Sequence, residues 1–266
     1  MYDFHVHSNF SGDCEYSMEE MVKGAIKNNI KMMSFTDHMD HDYGNCEVDF
    51  IFEVEDYLKH FNKVKDSFKN DIELLTGVEI GMQPHLVTKI YDLMPLDVFD
   101  FIIMSIHTAK GSELHEGDFY KNKSASKAYA DYYEDLYTCV SNFDNFDIVG
   151  HVNIIDRYTN FLKNPEIEFN EYKDLLIEVL KKIISKDKGI EVNTSGIRYG
   201  LGAFHPNVEI LKLYKQLGGE IITFGSDSHT PKDLGFMYAD VLNLLRDLDF
   251  KYITTFKERK HNFIKI

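Results

Sequence analysis

Two histidines stand two residues apart in the first apolar run of the chain, YDFHVHS. Residues i and i+2 of a β-strand point to the same face, so His5 and His7 would direct both imidazoles to one place. Imidazole groups bind zinc and iron, and a pair on one strand face is a candidate part of a metal site. A histidine pair can also be satisfied by hydrogen bonds inside a core, so the pair alone does not decide.

Most other strand-like runs also end in a potential metal ligand. These residues are, in chain order, His38, Glu79, His107, His151, Asp227 and His229. In a parallel barrel all strand carboxyl ends open onto one face, where these side chains would converge with His5 and His7. Packing would need a separate reason for each strand end, whereas a metal centre explains them together. The pattern therefore predicts a metal centre built from imidazoles and carboxylates.

The elements that must position these residues are seven short apolar runs alternating with helix-like segments. The runs are YDFHVHS, MMSFTDH, ELLTGVEIG, FDFIIMSIHT, FDIVGHVN, GIEVNTSG and GEIITFGSDSH. Ser17 and Glu20 have the spacing of a helix capping box in SMEEMVKGAIKNN. Further helices are predicted over 50–69, 126–142, 170–187, 207–217 and 231–247, with Pro231 in a first helical turn. The alternation predicts an α/β fold, either a parallel barrel or a doubly wound sheet.

Length, charge and cysteine content limit the classes of protein. A chain of 266 residues with 44% hydrophobic content predicts one domain over 1–266. The net charge of −15 argues against nucleic-acid and anionic-membrane partners. Cys14, Cys46 and Cys139 are far apart and odd in number, which predicts no disulfide framework and a reducing compartment. No membrane-length apolar run or signal-like amino terminus is present, so we expect a cytoplasmic protein of undetermined oligomeric state.

Six motifs in order, HVH, TDH, GVEIG, SIH, GH and SDSH, resemble those of the polymerase and histidinol phosphatase (PHP) superfamily. The resemblance spans essentially the whole chain. GVEIGMQPH and NTSGIRYG further resemble the L-histidinol-phosphate phosphatases of that superfamily. The resemblance implies a distorted (β/α)7 barrel with three divalent metal ions, zinc, manganese or iron. It also implies a small phosphate ester as substrate, namely L-histidinol phosphate in histidine biosynthesis.

The resemblance also implies how the ligands divide among the three metals. His5, His7, Glu79 and Asp227 would hold the first, and Glu79 would bridge to a second that is completed by His107 and His151. Asp13, His38 and His229 would hold the third. Asp13 stands where the family often has histidine, and a carboxylate is a chemically reasonable replacement there.

Such a cluster suits phosphate-ester hydrolysis, because metals that share a carboxylate can activate a bridging hydroxide to attack phosphorus. The departing alkoxide must be protonated or coordinated, for which Asp227, His205 or a metal-bound water remain open. Only four of the 29 basic residues are arginines, and Arg157 and Arg198 follow the fifth and sixth runs. A guanidinium fork matches phosphoryl oxygens, so both are predicted phosphate clamps.

The remaining polar candidates are assigned more simply. Glu113 and Asp156 are predicted to face the cationic groups of the substrate, and His205 is predicted in an exposed loop. His85 is expected to be structural or to support a ligand. Structural or solvent-exposed roles are expected for His41, His60, His115, His261, Arg246 and Arg259.

Three other functions remain as alternatives. Another phosphoesterase of the same superfamily, acting on a nucleotide or another small ester, would use the same chemistry; the negative charge disfavours oligonucleotides. An amidohydrolase barrel usually has a bridging lysine where this chain has Glu79. A metal-binding scaffold without activity would fit poorly with the two arginines near a complete ligand set.

Overall fold

The computed structural model describes residues 1–44 and 50–266. The strands are β1 Tyr2–Val6, β2 Met32–Phe35, β3 His38–Met39, β4 Glu73–Gly81, β5 Phe101–Ser105, β6 Thr108–Ala109, β7 Ser112–Glu113, β8 Ile148–Val149, β9 Gly189–Asn193, β10 Ile222–Gly225, β11 Tyr252–Lys257 and β12 Lys260–Lys265. The α-helices are α1 Met18–Lys27, α2 Val54–Phe68, α3 Ile90–Leu93, α4 Ala125–Asn142, α5 Phe169–Ser185, α6 Ser195–Arg198, α7 Val208–Gln216 and α8 Tyr238–Asp247. Two 3₁₀ segments span Asp118–Tyr120 and Ile154–Phe161.

Seven parallel strands form a distorted barrel in the order β1-β2-β4-β5-β8-β9-β10, and the short β3 pairs with β4. The first and last strands meet where the His7 amide donates to the Ser228 carbonyl (3.0 Å) and the Asp227 amide donates to the His5 carbonyl (2.8 Å). The predicted α/β barrel is therefore confirmed, and the doubly wound sheet is excluded by this closure. Every predicted apolar run contributes one barrel strand.

The helices follow the predicted pattern with one clear exception. In α1 the Ser17 hydroxyl accepts from the Glu20 amide (3.3 Å), and the Glu20 carboxylate accepts from the Ser17 amide (2.9 Å). This capping box starts the helix as expected. The last helix begins at Tyr238 and not near residue 231, so the placement of Pro231 in its first turn is wrong. Residues 231–237 instead form turns. Just before this segment, Thr230 Oγ1 donates to the Asp233 carboxylate (3.0 Å).

The carboxyl-terminal hairpin β11–β12 covers the amino ends of the barrel strands. Phe256 packs on Phe101 with ring centroids 5.1 Å apart, and both belong to an apolar cluster with Phe4. The opposite, carboxyl ends of the strands are left open and carry the polar residues. The barrel thus has one apolar, closed end and one functional end.

Two further sequence predictions can be compared with the fold. Of the three cysteines considered for a disulfide framework, Cys14 and Cys139 are buried and free, while Cys46 lies outside the described residues. Over 1–44 and 50–266, no helix has the length and apolar character needed to cross a membrane.

Candidate metal centre

The predicted ligands converge at the carboxyl ends of the barrel strands, around a cavity of ≈ 260 Å³. His5 and His7 are buried completely at the base, below the cavity wall. The wall contains the other predicted metal ligands, which are Asp13, His38, Glu79, His107, His151, Asp227 and His229. Residues far apart in the sequence thus form one cluster, as their positions at strand ends predicted.

Glu79 lies at the centre of the cluster and uses its two oxygens in different directions. Its Oε2 lies 3.1 Å from His5 Nε2 and 3.2 Å from His38 Nδ1. Its Oε1 lies 2.9 Å from His151 Nε2 and 3.3 Å from His107 Nε2. One carboxylate therefore faces two groups of imidazoles, which is the arrangement a bridging ligand needs.

Asp227 completes the group around His5 and His7. Its Oδ1 is 3.5 Å from His7 Nε2 and 3.8 Å from His5 Nε2. The residue has a φ of 54°, in the left-handed region that residues other than glycine seldom adopt. This backbone conformation directs the carboxylate from the end of β10 back into the barrel mouth.

Asp13 lies beside the histidines assigned to the third metal. Its Oδ2 is 3.1 Å from His229 Nε2 and 3.7 Å from His38 Nε2. Its side chain is 40% exposed, whereas Asp227 and Glu79 are almost fully buried. The placement is compatible with a metal ligand at the solvent side of the cluster.

The unpaired atoms of the cluster test whether metal ions fit. Among the described residues, His5 Nε2, His7 Nε2, His229 Nε2 and Glu79 Oε2 are buried without a hydrogen-bond partner. Buried polar atoms are normally paired, and a metal ion would satisfy all four. Four triads bring their donor atoms within 4.8 Å of one another: His7–His38–His229, His5–His151–Asp227, His5–His7–Glu79 and His38–Glu79–His107. The donors fit several divalent ions.

The imidazoles and carboxylates of the cluster shift one another's pKa values. Burial alone would raise the pKa of Glu79, but His5, His107 and His38 hold that pKa well below its usual range, so Glu79 is ionised. Burial, together with His229 and His38, lowers the pKa of His7 well below its usual range. The carboxylates in turn raise the pKa values of His5, His38 and His107 despite their burial, and a bound metal ion would take the place of the protons on these imidazoles.

Two buried carboxylates that the sequence reasoning missed hold ligand histidines by their other nitrogen. Glu191 Oε2 accepts from His5 Nδ1 (3.0 Å), and its Oε1 accepts from the His151 amide (2.7 Å). Asp40 Oδ2 accepts from His107 Nδ1 (2.6 Å). Such partners orient the ring and leave Nε2 free for a metal. Glu191 could have been suspected from its place in the apolar run GIEVN, because a lone carboxylate in a buried strand needs a partner.

Two glycines make room for these supporting carboxylates. A Cβ atom at Gly81, the last residue of GVEIG, would overlap the Asp40 carboxylate. A Cβ at Gly225, at the end of β10, would overlap the carboxylate of Glu191. Glycine is required at both positions by this close approach and not by an unusual φ.

Arg157, a predicted phosphate clamp, reaches the cavity. It is carried by the 3₁₀ segment after β8 and lies in the cavity wall. Its Nη2 atom donates to Ser195 Oγ and lies 3.6 Å from Asp227 Oδ2. Its guanidinium group is thus fixed beside the predicted metal ligands.

Arg198 is directed elsewhere. Its Nη1 donates to the Ser226 carbonyl (2.6 Å) and its Nη2 to the Asp227 carbonyl (2.6 Å). Arg198 is not among the residues of the cavity wall within the described ranges. The Arg198 guanidinium, a predicted phosphate clamp, therefore forms its hydrogen bonds with the main chain at the end of β10.

The two predicted counter-charges and His205 also lie outside the cavity wall. The Glu113 carboxylate accepts from the Glu116 amide (2.5 Å), and Asp156 accepts from Tyr129 Oη (2.7 Å). His205 is completely buried, so its expected place in an exposed loop is wrong. Its main chain pairs with Asn193, which draws the segment after α6 into the barrel mouth.

The wall contains residues for which the sequence predicted no such place. His115, for which a structural or solvent-exposed role was expected, lies at the exposed rim of the cavity, with Glu116 next to it. Tyr158 and Tyr199 flank Arg157.

His85 pairs with Asp42 (2.9 Å), outside the wall. His60 pairs with Glu19 and His261 lies on β12, as expected of structural or exposed histidines.

Comparisons with known proteins agree with this geometry. The family model described as PHP domain matches residues 3–195. A probable histidinol-phosphatase of Clostridium acetobutylicum is 30% identical over 94% of this chain and 95% of the relative. A histidinol-phosphatase of Lactococcus lactis is also 30% identical, over 97% of this chain and 95% of the relative.

Two solved structures share the fold. A crystal structure of histidinol phosphate phosphatase from Lactococcus lactis, complexed with zinc, L-histidinol and phosphate, has a TM-score of 0.85 at 28% identity, and the match covers 98% of both chains. A putative histidinol phosphatase of Listeria monocytogenes has a TM-score of 0.77 at 19% identity over 90% of this chain and 99% of that one. The second likeness supports the fold alone.

Proposed function

This chain belongs to the PHP domain family, and we propose that it is a metal-dependent histidinol-phosphatase. The reaction is hydrolysis of L-histidinol phosphate to L-histidinol and phosphate, a step of histidine biosynthesis. The similar Lactococcus lactis structure holds zinc, L-histidinol and phosphate, which are the cofactor and the two products of this reaction. The observation in this chain that carries the proposal is Glu79, whose two oxygens face two groups of histidines.

We propose three metal positions from the contacts. His5, His7, Asp227 and Glu79 would hold the first metal. Glu79 would also contribute to the second, together with His107 and His151. Asp13, His38 and His229 would hold the third. Bound divalent ions would supply Lewis-acid polarisation of the phosphoryl oxygens and activation of the attacking water at neutral pH. The supporting carboxylates Glu191 and Asp40 would hold the ligand rings in place.

Arg157 would bind the phosphoryl group. Its guanidinium lies in the cavity wall 3.6 Å from Asp227 Oδ2, close to the proposed metal ligands. A planar guanidinium forms paired, charge-assisted hydrogen bonds with phosphoryl oxygens and offsets the charge that develops during transfer.

Asp227 is the group we propose to hold a proton during turnover. Its Oδ1 faces the histidines, whereas Oδ2 accepts from Ser195 Oγ (3.0 Å) on the side of Arg157. His5, His7 and His229 outweigh the effect of burial and hold the pKa of Asp227 well below its usual range. The carboxylate is therefore ionised at rest, and a proton that it took up during turnover would be acidic enough to pass to the leaving alkoxide. We assign His205 no contact with the substrate, because it lies behind the wall.

The cavity suits a substrate with a cationic alcohol part. Glu116 lies at its exposed rim, and no lysine from the described ranges lies in the wall. L-Histidinol carries an amino group and an imidazole, both of which a carboxylate attracts when they are protonated. We propose Glu116 at the rim, in place of the predicted Glu113 and Asp156, as the carboxylate nearest to these groups.

Three broader features complete the proposal. The net charge of −15 supports a small-molecule substrate and no nucleic-acid partner. Unpaired, buried cysteines support action in the cytoplasm. We propose that residues 1–266 act as one domain, because strands from both ends of the chain form the same barrel mouth.

The test is phosphate release by purified protein loaded with zinc or manganese. L-Histidinol phosphate is compared with p-nitrophenyl phosphate and a nucleoside monophosphate, with His107→Ala as the control. We expect a preference for L-histidinol phosphate of at least about a hundredfold in kcat/KM. The other two esters lack the histidinol groups, so the buried polar contacts that the site makes with those groups would be lost. Equal turnover of all three would contradict the substrate and favour a phosphatase for another small ester. No turnover of any would contradict phosphatase activity.

A further inference from the structure

Arg157 lies on the ring of Tyr199, a residue that belongs to another segment of the barrel mouth. The guanidinium carbon is 4.2 Å from the centroid of the Tyr199 ring. Arg157 is carried by the 3₁₀ segment that follows β8, and Tyr199 caps the short helix α6 that follows β9. The stack therefore joins two neighbouring loops at the functional end.

The two partners differ in their exposure. The Arg157 side chain is only 10% exposed, whereas Tyr199 is 62% exposed, although both line the cavity. The exposed Tyr199 ring thus lies between the guanidinium and solvent on one face. A cation under an aromatic ring gains more from the contact when it is shielded from water.

The in-plane donors of Arg157 are incompletely used. One nitrogen donates to Ser195 Oγ. Its Nε is buried without a hydrogen-bond partner in the described part of the chain. A buried, unpaired donor on a cation is costly unless a ligand accepts from it. A phosphoryl oxygen is an acceptor of the required charge, and the proposed function brings one to this cavity.

We propose that Tyr199 is a positioning residue for phosphoryl binding: its ring holds the Arg157 guanidinium flat and shielded, so that the free Nε–H points to a phosphoryl oxygen. The inference rests on the proposed function only for the presence of a phosphate ester. Tyr199 acts through Arg157 and makes no contact of its own with phosphorus. The ring, and not the hydroxyl, supplies the effect.

The test measures inhibition by the two products separately. Inorganic phosphate and L-histidinol are used as inhibitors of p-nitrophenyl phosphate hydrolysis by the metal-loaded enzyme, for wild type, Tyr199→Leu and Tyr199→Phe. We expect Tyr199→Leu to raise the inhibition constant of phosphate about threefold to tenfold while that of L-histidinol stays within twofold. Tyr199→Phe should restore the phosphate constant. Tyr137→Leu, on the outer helix α4 and 39% exposed, controls for a tyrosine-to-leucine change elsewhere.

Three results would overturn the proposal. An unchanged phosphate constant in Tyr199→Leu would show that the stack is not used. A rise in the L-histidinol constant alone would place Tyr199 against the alcohol. A phosphate constant raised equally in Tyr199→Phe would assign the effect to the hydroxyl. Because the assay uses a generic ester, it gives an answer even if L-histidinol phosphate proves not to be the substrate.

Discussion

Arg198 holds the main chain of Asp227 at the point where that residue adopts a left-handed conformation. Arg198 Nη2 donates to the Asp227 carbonyl (2.6 Å) and Nη1 to the preceding carbonyl of Ser226 (2.6 Å), while Asp227 has a φ of 54°. Such a conformation costs about 1–2 kcal/mol for a residue with a Cβ atom. The two charge-assisted hydrogen bonds offset this cost and keep the carboxylate directed at His5 and His7.

Replacing Arg198 should therefore affect the metals as well as the rate. In Arg198→Ala we expect less bound metal per chain and a kcat lower by about 10- to 100-fold, because the ligand Asp227 loses its main-chain support. Metal analysis by mass spectrometry and steady-state kinetics measure the two effects. Arg246→Ala, which removes an exposed arginine paired with Asn243 on α8, is the matched control. Full metal content with only a raised KM would instead make Arg198 the phosphate clamp that its sequence position predicted.

Glu191 should be sensitive even to a change that preserves its shape. Both of its oxygens accept hydrogen bonds, one from His5 Nδ1 and the other from the His151 amide. In Glu191→Gln an NH2 group replaces one oxygen, so an N–H donor must face one of these two donors. We expect metal affinity to fall by about 10- to 100-fold, measured by competition with a chelator. Glu178→Gln, which alters an exposed pair with Lys181, should leave affinity unchanged. Equal affinities in the two variants would show that Glu191 does not act on the metal site.

Gly81 and Asp40 should act through one contact. An added methyl group in Gly81→Ala would displace the Asp40 carboxylate from His107 Nδ1, so we expect a loss of kcat similar to that of Asp40→Asn. In a double-mutant cycle the double variant should lose little more than the more impaired single variant. Circular dichroism checks that each variant is folded. Fully additive losses would mean that the two residues act independently.

Removing the metals should abolish activity and lower stability. Without them, buried atoms such as His7 Nε2 and Glu79 Oε2 have no hydrogen-bond partner within 1–44 and 50–266. A chelator should reduce turnover to background and lower Tm by several degrees, because ions that bind only the folded state stabilise it. Zinc or manganese should restore both, and magnesium should restore little since it prefers oxygen ligands. Full activity after verified metal removal would contradict the assigned metal centre.

Phe256 should contribute to stability without a role in the reaction. It is 4% exposed and packs on Phe101 at the closed end of the barrel, opposite the metal centre. We expect Phe256→Ala to lower the free energy of unfolding by about 3–5 kcal/mol in urea denaturation, while kcat of the folded enzyme changes little. Phe263→Ala, on the same hairpin but 37% exposed, should cost much less. Similar losses in both variants would contradict the packing role of the closed end.

The sequence by itself determined the alternation of parallel strands with helices and the candidate ligands at the strand ends, whereas the contact between the first and last strands decided for a barrel over a doubly wound sheet. Strand periodicity places His5 and His7 on one face, and parallel connectivity brings Glu79 and Asp227 to the same mouth. These are consequences of local geometry and of the direction of the strands, so they could be predicted without knowing any distance. The placement of Arg157 near the cluster followed from the same rule.

Only the tertiary structure decided the direction of the side chains beyond that set. Arg198 follows a strand end as Arg157 does, yet it turns to the main chain at Asp227. His205 was expected to be exposed but is buried by pairing with Asn193. The partners of Glu191 come from positions up to 186 residues away in the sequence. Such contacts depend on how distant segments pack and on which buried donors and acceptors remain to be paired, and spacing along the chain does not encode that outcome.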